Sequence, residues 1–408
     1  MNTFSRSRLF ADDELKEVIE KGAFENVDPQ ITQQLQALGV VTDDTAGELR
    51  RFAEMYGRRV YAPFEYEFTI IPTYDCNLNC SYCKRSDKTF SKDLLQKFKE
   101  FFSKKLEKGE YENVAVRIAG GEPLLHPEIL FEMLEGLSEI TQEHGKKFFS
   151  GLATNGTLLT PDLLDRLTPF LNAAQVTFEG CCTYHNSIRY DHTGTFDRVL
   201  TSAEMIKDAG ILLNMRVHVS EKSIPGLKEL FDDLRSSVGL GTESKTMITA
   251  APVVETRICP FYPLRCTETV EAASILPEAW KAAKECGMII TGIPNPPYEM
   301  LPCPYITPTS LIVDPSGTFY KCLMAANEKT CAAGSIQEGV LRSDPFNPAE
   351  LWHSKECLTC QFLPLCGGGC AWRAWKTQNE PADSCGGTHS LTVERVRFYL
   401  KNEHPILE

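Results

Sequence analysis

Apolar positions recur at helical spacing in three short stretches near the start of the chain, 12–21, 29–38 and 45–56. Gly39 stands where the second should stop, and Asp43 and Asp44 stand where the third should be capped. Near residue 63 the period changes. Phe64, Tyr66, Phe68 and Ile70 alternate with Glu65, Glu67 and Thr69 until Pro72, which predicts a strand. Further strand patterns cover 114–119, 148–153, 174–178, 212–220 and 246–251. Helical patterns at 91–108, 127–144, 161–171, 196–209 and 224–236 separate them. Thr160 followed by Pro161 joins a helix-capping residue to a proline suited to the first helical position. Six alternations of strand and helix predict parallel strands with crossover helices, too few to close an eight-fold barrel. The fold class is therefore α/β, a partial (β/α)6 TIM-like barrel with its chemistry on the loops after the strands.

Beyond residue 252 the alternation stops. A Pro-rich stretch around 293–302 follows one helical pattern, 277–286, with Gly287 placed to end it. Ser310–Val313 and Thr318–Tyr320 flank Asp314-Pro315-Ser316-Gly317, a β-turn sequence, and helical spacing returns only over 388–402. The chain divides into an N-terminal helical unit (1–62), the barrel (63–255), a bridging region (256–302) and a Cys-rich C-terminal domain (303–408).

Composition sharpens this. The 408 residues carry 42 Lys+Arg against 55 Asp+Glu, a net charge of −13, which argues against nucleic acid or an anionic membrane as partner. No apolar run reaches the roughly 18–20 residues of a membrane helix, and the start turns acidic too early for a signal peptide. A cytoplasmic protein is expected, and 16 cysteines fit poorly with disulfides there. Adjacent Cys181 and Cys182 read as buried small hydrophobes. Others fall into clusters that read as metal ligands.

The loop after the first strand holds Cys76-x3-Cys80-x2-Cys83. Three thiolates can hold three irons of a four-iron cluster and leave the fourth open, as a catalytic centre requires. A zinc site would want a fourth ligand, and the loop contains no His. With Tyr82 just before the last Cys, this spacing resembles the radical S-adenosylmethionine (SAM) enzymes. The resemblance implies a cluster that binds SAM and a 5′-deoxyadenosyl radical that abstracts hydrogen from substrate. Further turns match in order: Gly120-Gly121-Glu122-Pro123 after the second strand, and Thr154-Asn155-Gly156-Thr157 after the third. Thr177-Phe178-Glu179-Gly180 stands where the family usually shows Ser-x-Asp-Gly. Arg189 falls where the family's arginine meets the methionine carboxylate, a contact suited to a guanidinium. By resemblance the cofactor-binding residues are Tyr82, Gly120, Gly121, Glu122, Asn155, Thr177, Glu179 and Arg189.

The C-terminal third reads Cys303-x13-Gly317-x4-Cys322, then Cys357-x2-Cys360-x5-Cys366-x3-Cys370, then Cys385. This resembles the seven-cysteine SPASM extension of the same family, which implies two auxiliary four-iron clusters and three [4Fe-4S] clusters in all. Cys357, Cys360, Cys366 and Cys385 would hold one auxiliary cluster; Cys303, Cys322 and Cys370 would hold the other, one ligand short. Many relatives place a Cys where this chain has Pro297. Cys286, Cys259, Cys266 and Cys331 are the alternatives, or that iron is open.

SPASM enzymes mostly act on peptides or proteins. The expectation is a maturase that oxidatively modifies a ribosomally made precursor peptide, forming a thioether or carbon–carbon crosslink, with flavodoxin or ferredoxin as electron donor. A sulfatase-maturating enzyme is the alternative, but Leu323 replaces the Asp that this branch carries after the hairpin cysteine. A non-catalytic iron–sulfur electron carrier is the alternative of another class. No residue stands out as the general base.

Overall fold

The computed structural model describes residues 11–42, 45–61, 65–83, 86–109, 111–239, 245–253, 270–291, 303, 307–326, 328–341, 351–376 and 381–403. Helices α1 (Asp13–Lys21), α2 (Pro29–Ala37) and α3 (Thr45–Tyr61) come first. The alternating region follows: β1 (Glu65–Ile70), α4 (Lys92–Glu107), β2 (Asn113–Ile118), α5 (Pro127–Glu143), β3 (Lys147–Ala153), α6 (Pro161–Leu167), β4 (Ala173–Phe178), α7 (Cys182–Ile188), α8 (Phe196–Asp208), β5 (Leu212–Val219), α9 (Leu227–Val238) and β6 (Thr246–Pro252). Then come α10 (Val270–Ser274), α11 (Leu276–Glu285), β7 (Ser310–Val313), β8 (Thr318–Tyr320), β9 (Gly334–Ser335), β10 (Gly339–Val340), α12 (Lys355–Leu358), α13 (Leu363–Cys366), α14 (Ala371–Lys376) and α15 (Pro381–Glu403). Asp43, Asp44, Pro297, Cys259 and Cys266 lie outside the described residues, as does the side chain of Cys385.

β1 to β6 pair in sequence order and in parallel, as the alternation predicts. The helices start where their caps stand: Ser91 accepts from Leu94 N–H at 3.1 Å, and Thr160 from Leu163 N–H at 3.3 Å. On β1, Tyr66, Phe68 and Ile70 join the core under the helices, where Phe68 meets Phe98 and Phe102 of α4. Two of the three intervening residues do not face water: Glu67 is buried beside Arg117 of β2, and Thr69 is fully buried. The polar half of the alternation therefore lines the barrel interior. On β5 the same face carries Asn214, Arg216 and His218, all buried.

The Cys-rich region continues this sheet. β7 lies parallel beside β1, with Phe68 opposite Leu311 and Ile70 opposite Val313, and β8 to β10 follow antiparallel. Among the described residues the order is β10-β9-β8-β7-β1-β2-β3-β4-β5-β6. Asp314 makes the expected turn, accepting from Ser316 N–H and Thr318 N–H at 2.9 Å each, while Gly317 takes a φ of 77°. Helix α3 packs on the same region: Phe52, Tyr56 and Val60 share a small core with Cys331, Cys357, Leu363 and Ala371.

Three features depart from the sequence reading. Helix α7 (CTYHNSI) has too little apolar periodicity to be seen, and Cys181 and Cys182 at its start are half-exposed, not buried. Helix α9 begins after a short 3-10 turn at Ile224–Gly226, because Pro225 and Gly226 are poor interior helix residues. Helix α15 starts seven residues earlier than the spacing implies, running through Gly386 and Gly387.

Candidate active site

The Cys76–Cys83 loop leaves the C-terminal end of β1 and is braced by the loops after β2 and β3. Gly121 N–H donates to Thr73 O at 2.9 Å, and Glu122 N–H to Asp75 O at 2.7 Å. A Cβ at Gly121 would stand 2.0 Å from the Asp75 carbonyl oxygen, and one at Gly120 2.5 Å from that of Thr73. The glycines are required by the chain's own backbone crossing. Gly121→Ala is expected to cost about 1–3 kcal/mol of stability and to lower iron retention at this loop, measured by urea unfolding and iron assay. Unchanged iron retention would mean the loop can shift freely.

Glu122 is fully buried, and its carboxylate ties the two bracing loops together. It accepts from Leu124 N–H (2.9 Å), Thr154 Oγ1–H (2.7 Å) and Asn155 N–H (2.6 Å). Burial raises its pKa, opposed by the Asn155 and Leu124 amides and the Thr154 hydroxyl. The Asn155 side chain then reaches the cysteine loop, donating to Asn77 Oδ1 at 2.8 Å and Cys76 Sγ at 3.7 Å. Its Oδ1 accepts from Thr157 N–H at 2.9 Å, and Asn77 Nδ2 donates to Thr157 Oγ1 at 2.8 Å.

Among the described residues, no three Cys, His, Asp or Glu side chains already converge as a closed set of metal ligands. The chemistry of the cysteine loop nonetheless suits an iron cluster. Burial pushes the Cys76 thiol up to about 12, with Glu122, Cys80 and Cys83 adding to the effect. Crowded thiols beside a carboxylate resist ionising together until a cationic centre reverses the balance. Leu78 N–H, donating to Cys76 Sγ at 3.4 Å, and Asn155 would then stabilise ligating sulfur. Cys76, Cys80 and Cys83 are the residues that could hold it.

A second polar group lies across the barrel mouth. Glu179 is 1% exposed and accepts from Arg189 Nε at 2.7 Å, from His218 Nδ1 at 3.0 Å and from the Tyr82 hydroxyl. Burial would raise its pKa, but His218 and Arg189, with hydrogen bonds from His218 and Tyr82, hold it well below the usual carboxylate range. Arg216 Nε donates to His218 Nε2 at 3.0 Å, so that nitrogen is an acceptor and the ring proton belongs on Nδ1, toward Glu179. Burial raises the Tyr82 pKa well above the ordinary phenol value, so Tyr82 remains a donor. Arg189 Nη2 also reaches Tyr82 at 3.1 Å. The sequence-predicted Tyr82, Glu179 and Arg189 are thus one assembly, while Thr177 is buried on β4 just before it. His218 and Arg216 are additions. Their signal was there: three polar residues at period two in an otherwise apolar strand.

His185 on α7 backs this assembly, its Nδ1 accepting from Glu179 N–H at 3.3 Å. Burial, aided by Arg189, pushes its pKa down to about 3. An unfolded histidine titrates near 6.5, so between these values the unfolded chain binds the additional proton. Stability present above pH 6.5 is lost as pH falls toward 3. His185→Gln is expected to flatten the dependence of unfolding free energy on pH between 7 and 4, by up to about 1.4 kcal/mol per pH unit. An unchanged slope in urea titrations would remove His185 as the titrating group.

Several C-terminal cysteines lie around one small core. Cys303 and Cys322 pack against the small core of Phe52, Tyr56, Cys331 and Cys357, as does Cys360. Cys303 also touches a cluster at the barrel mouth, containing Ile71, Tyr74, Ala153, Tyr320 and Leu323. Between Cys366 and Cys370, Gly367, Gly368 and Gly369 all adopt positive φ (68°, 90° and 93°). A Cβ at Gly368 would stand 2.7 Å from the Leu351 backbone. That left-handed turn is what the CGGGC sequence provides.

Residues 70–233 match the radical SAM superfamily model. The chain carries a radical SAM domain. S-adenosylmethionine and a four-iron cluster are the cofactors that such a domain uses. A curated relative, the AdoMet-dependent heme synthase of Methanosarcina barkeri, is 27% identical over 165 residues, which are 39% of this chain. The chain spans only 44% of that relative's length. Among solved structures, anSMEcpe with bound AdoMet and Kp18Cys peptide is similar at a TM-score of 0.60 and 19% identity, covering 84% of this chain and 98% of that one. Streptococcus suis SuiB bound to the precursor peptide SuiA gives a TM-score of 0.54 and 15% identity, covering 90% and 86%. These likenesses extend the shared fold well beyond the radical SAM domain. Among the described residues, no helix is long and apolar enough to cross a membrane.

Proposed function

We propose that this chain is a radical SAM maturase that oxidatively modifies a peptide, forming a thioether or carbon–carbon crosslink. The observation that supports the reading is a packing contact between the start of the first cysteine loop and the C-terminal region. Tyr74 and Ile71, at the start of the Cys76–Cys83 loop, pack in the same cluster as Tyr320, Leu323 and Cys303. When bound, a cluster at Cys76, Cys80 and Cys83 with SAM supplies a carbon radical that removes hydrogen from substrate. The chain's own residues shape that event. Glu122 and Asn155 fix the cysteine loop, and the Glu179 assembly presents Arg189 and Tyr82 at the mouth. Cys303, Cys322, Cys357, Cys360, Cys366, Cys370 and Cys385 would hold two auxiliary clusters able to take an electron from a substrate radical. Net removal of two hydrogens, as a crosslink demands, requires such an acceptor.

Peptides bound to anSMEcpe and SuiB support a peptide as the substrate class. Leu323 is buried against the barrel mouth, so no carboxylate stands where the sulfatase-maturating branch needs one. The test is co-expression with a candidate precursor peptide under anaerobic conditions, followed by mass spectrometry. A peptide lighter by two hydrogens supports the reading. Formation of 5′-deoxyadenosine with every candidate peptide unchanged would count against it, and no 5′-deoxyadenosine at all would favour a non-catalytic electron carrier.

A further inference from the structure

We propose that Cys331 is the fourth ligand of the auxiliary cluster at Cys303, Cys322 and Cys370, replacing the upstream cysteine absent at Pro297. The inference rests on the two-auxiliary-cluster reading above and assigns a ligand that the spacing left open. Phe319 and Gly334 form the last pair of β8 and β9. Cys322 stands three residues beyond Phe319, and Cys331 three residues before Gly334, so the two limbs carry both thiols away from the ladder together. Two short 3-10 turns, Leu323–Ala325 and Lys329–Cys331, fold the intervening segment back. They are fixed by Ala325 N–H to Cys322 O (3.1 Å), Glu328 N–H to Ala325 O (2.9 Å) and Cys331 N–H to Glu328 O (2.8 Å).

Burial points the same way. Cys331 is 1% exposed and shares its core with Cys357, and Cys303, Cys322 and Cys360 pack against that core; the hairpin that joins it to Cys322 sets it with the cluster at Cys303, Cys322 and Cys370. Ala371, the neighbour of Cys370, belongs to that core too. A cysteine buried alone is a small hydrophobe; one buried among thiols on a short hairpin loop is placed for ligation. Cys286 is committed elsewhere. It caps α11 within the barrel core and donates its thiol to Asp232 Oδ1 on α9 at 3.5 Å. Among the described residues, the thiols around Cys331 do not already close on one point. With Cys331 bound, every iron of that cluster has a protein ligand. The peptide is then held at the barrel mouth, and not through a substrate thiolate on the auxiliary iron.

The test compares the full chain with Cys331→Ser, Cys303→Ser and Cys286→Ser after anaerobic reconstitution. Wild type should hold about twelve irons. Cys331→Ser and Cys303→Ser should alter the same cluster, seen as loss of up to about four irons or an oxidised three-iron signal by electron paramagnetic resonance. Cys286→Ser should match wild type. A Cys331→Ser protein with wild-type iron and spectra overturns the assignment. Should that variant fail to fold, wild type decides: small thiols added to a closed cluster leave its spectrum unchanged, and a shift overturns the proposal. Wild type holding only about four irons would instead overturn the auxiliary-cluster reading, and the proposal with it.

Discussion

Replacing Cys76, Cys80 and Cys83 together by alanine is expected to reduce SAM cleavage to background and remove about four irons. Iron at the proposed auxiliary clusters should remain. Cys303 and Cys322 sit in a core built by α3 and the β8–β9 loop, which does not include the first loop's cysteines. Anaerobic iron analysis and chromatography of 5′-deoxyadenosine check both halves. Full cleavage in the triple variant would refute the assignment of this loop as the radical source. Loss of all iron would show instead that the two regions load as one.

Glu122→Ala should be the most destabilising single change at the site, at about 3–5 kcal/mol. Three donors, Leu124 N–H, Thr154 Oγ1–H and Asn155 N–H, converge on a carboxylate sealed from water. Truncation leaves them buried without an acceptor, and each such donor costs about 1–3 kcal/mol. Partial relaxation keeps the total below a simple sum. Glu122→Gln retains one carbonyl acceptor but sets an NH2 against a donor, so roughly half the loss is expected. Urea unfolding measures both. A midpoint shift worth less than about 1 kcal/mol for the alanine variant would mean that water enters and satisfies the loops. Because Asn155 carries the brace onward to Cys76 and Asn77, the same variant should bind iron less firmly.

Much of this was legible in the chain. Strands and helices followed from periodicity, and the turns after successive strands held the residues that the structure gathers at one mouth. The family resemblance singled out Tyr82, Glu122 and Asn155 among them. What they touch was not legible. By resemblance Gly120 and Gly121 are cofactor-binding residues, and in the fold they also let the chain pass close to the backbone of Thr73 and Asp75. Arg189 read as a partner for a carboxylate, and it has one within the chain, Glu179. Such contacts join residues ten to more than a hundred positions apart, and no local pattern encodes them. Helix α7 escaped notice because Thr183, Asn186 and Ser187 are weak helix formers that tertiary packing overrides. The polar residues of β5 were visible but had no reading until the strand was seen to face inward.

The pairing of β7 with β1 bears on any attempt to isolate the catalytic half. The sequence suggests a cut near residue 255, releasing a self-sufficient barrel. In the structure that cut strips β1 of its neighbour from Glu67 to Ile70 and bares a row of backbone donors and acceptors on the strand that leads into the cysteine loop. An unprotected edge of this kind is a template for intermolecular pairing. A 63–255 fragment is therefore expected to aggregate, or to need a substitute strand, and light scattering on the purified fragment would show it. The C-terminal region supplies more than cysteines: it supplies the selvedge that keeps the sheet from unravelling.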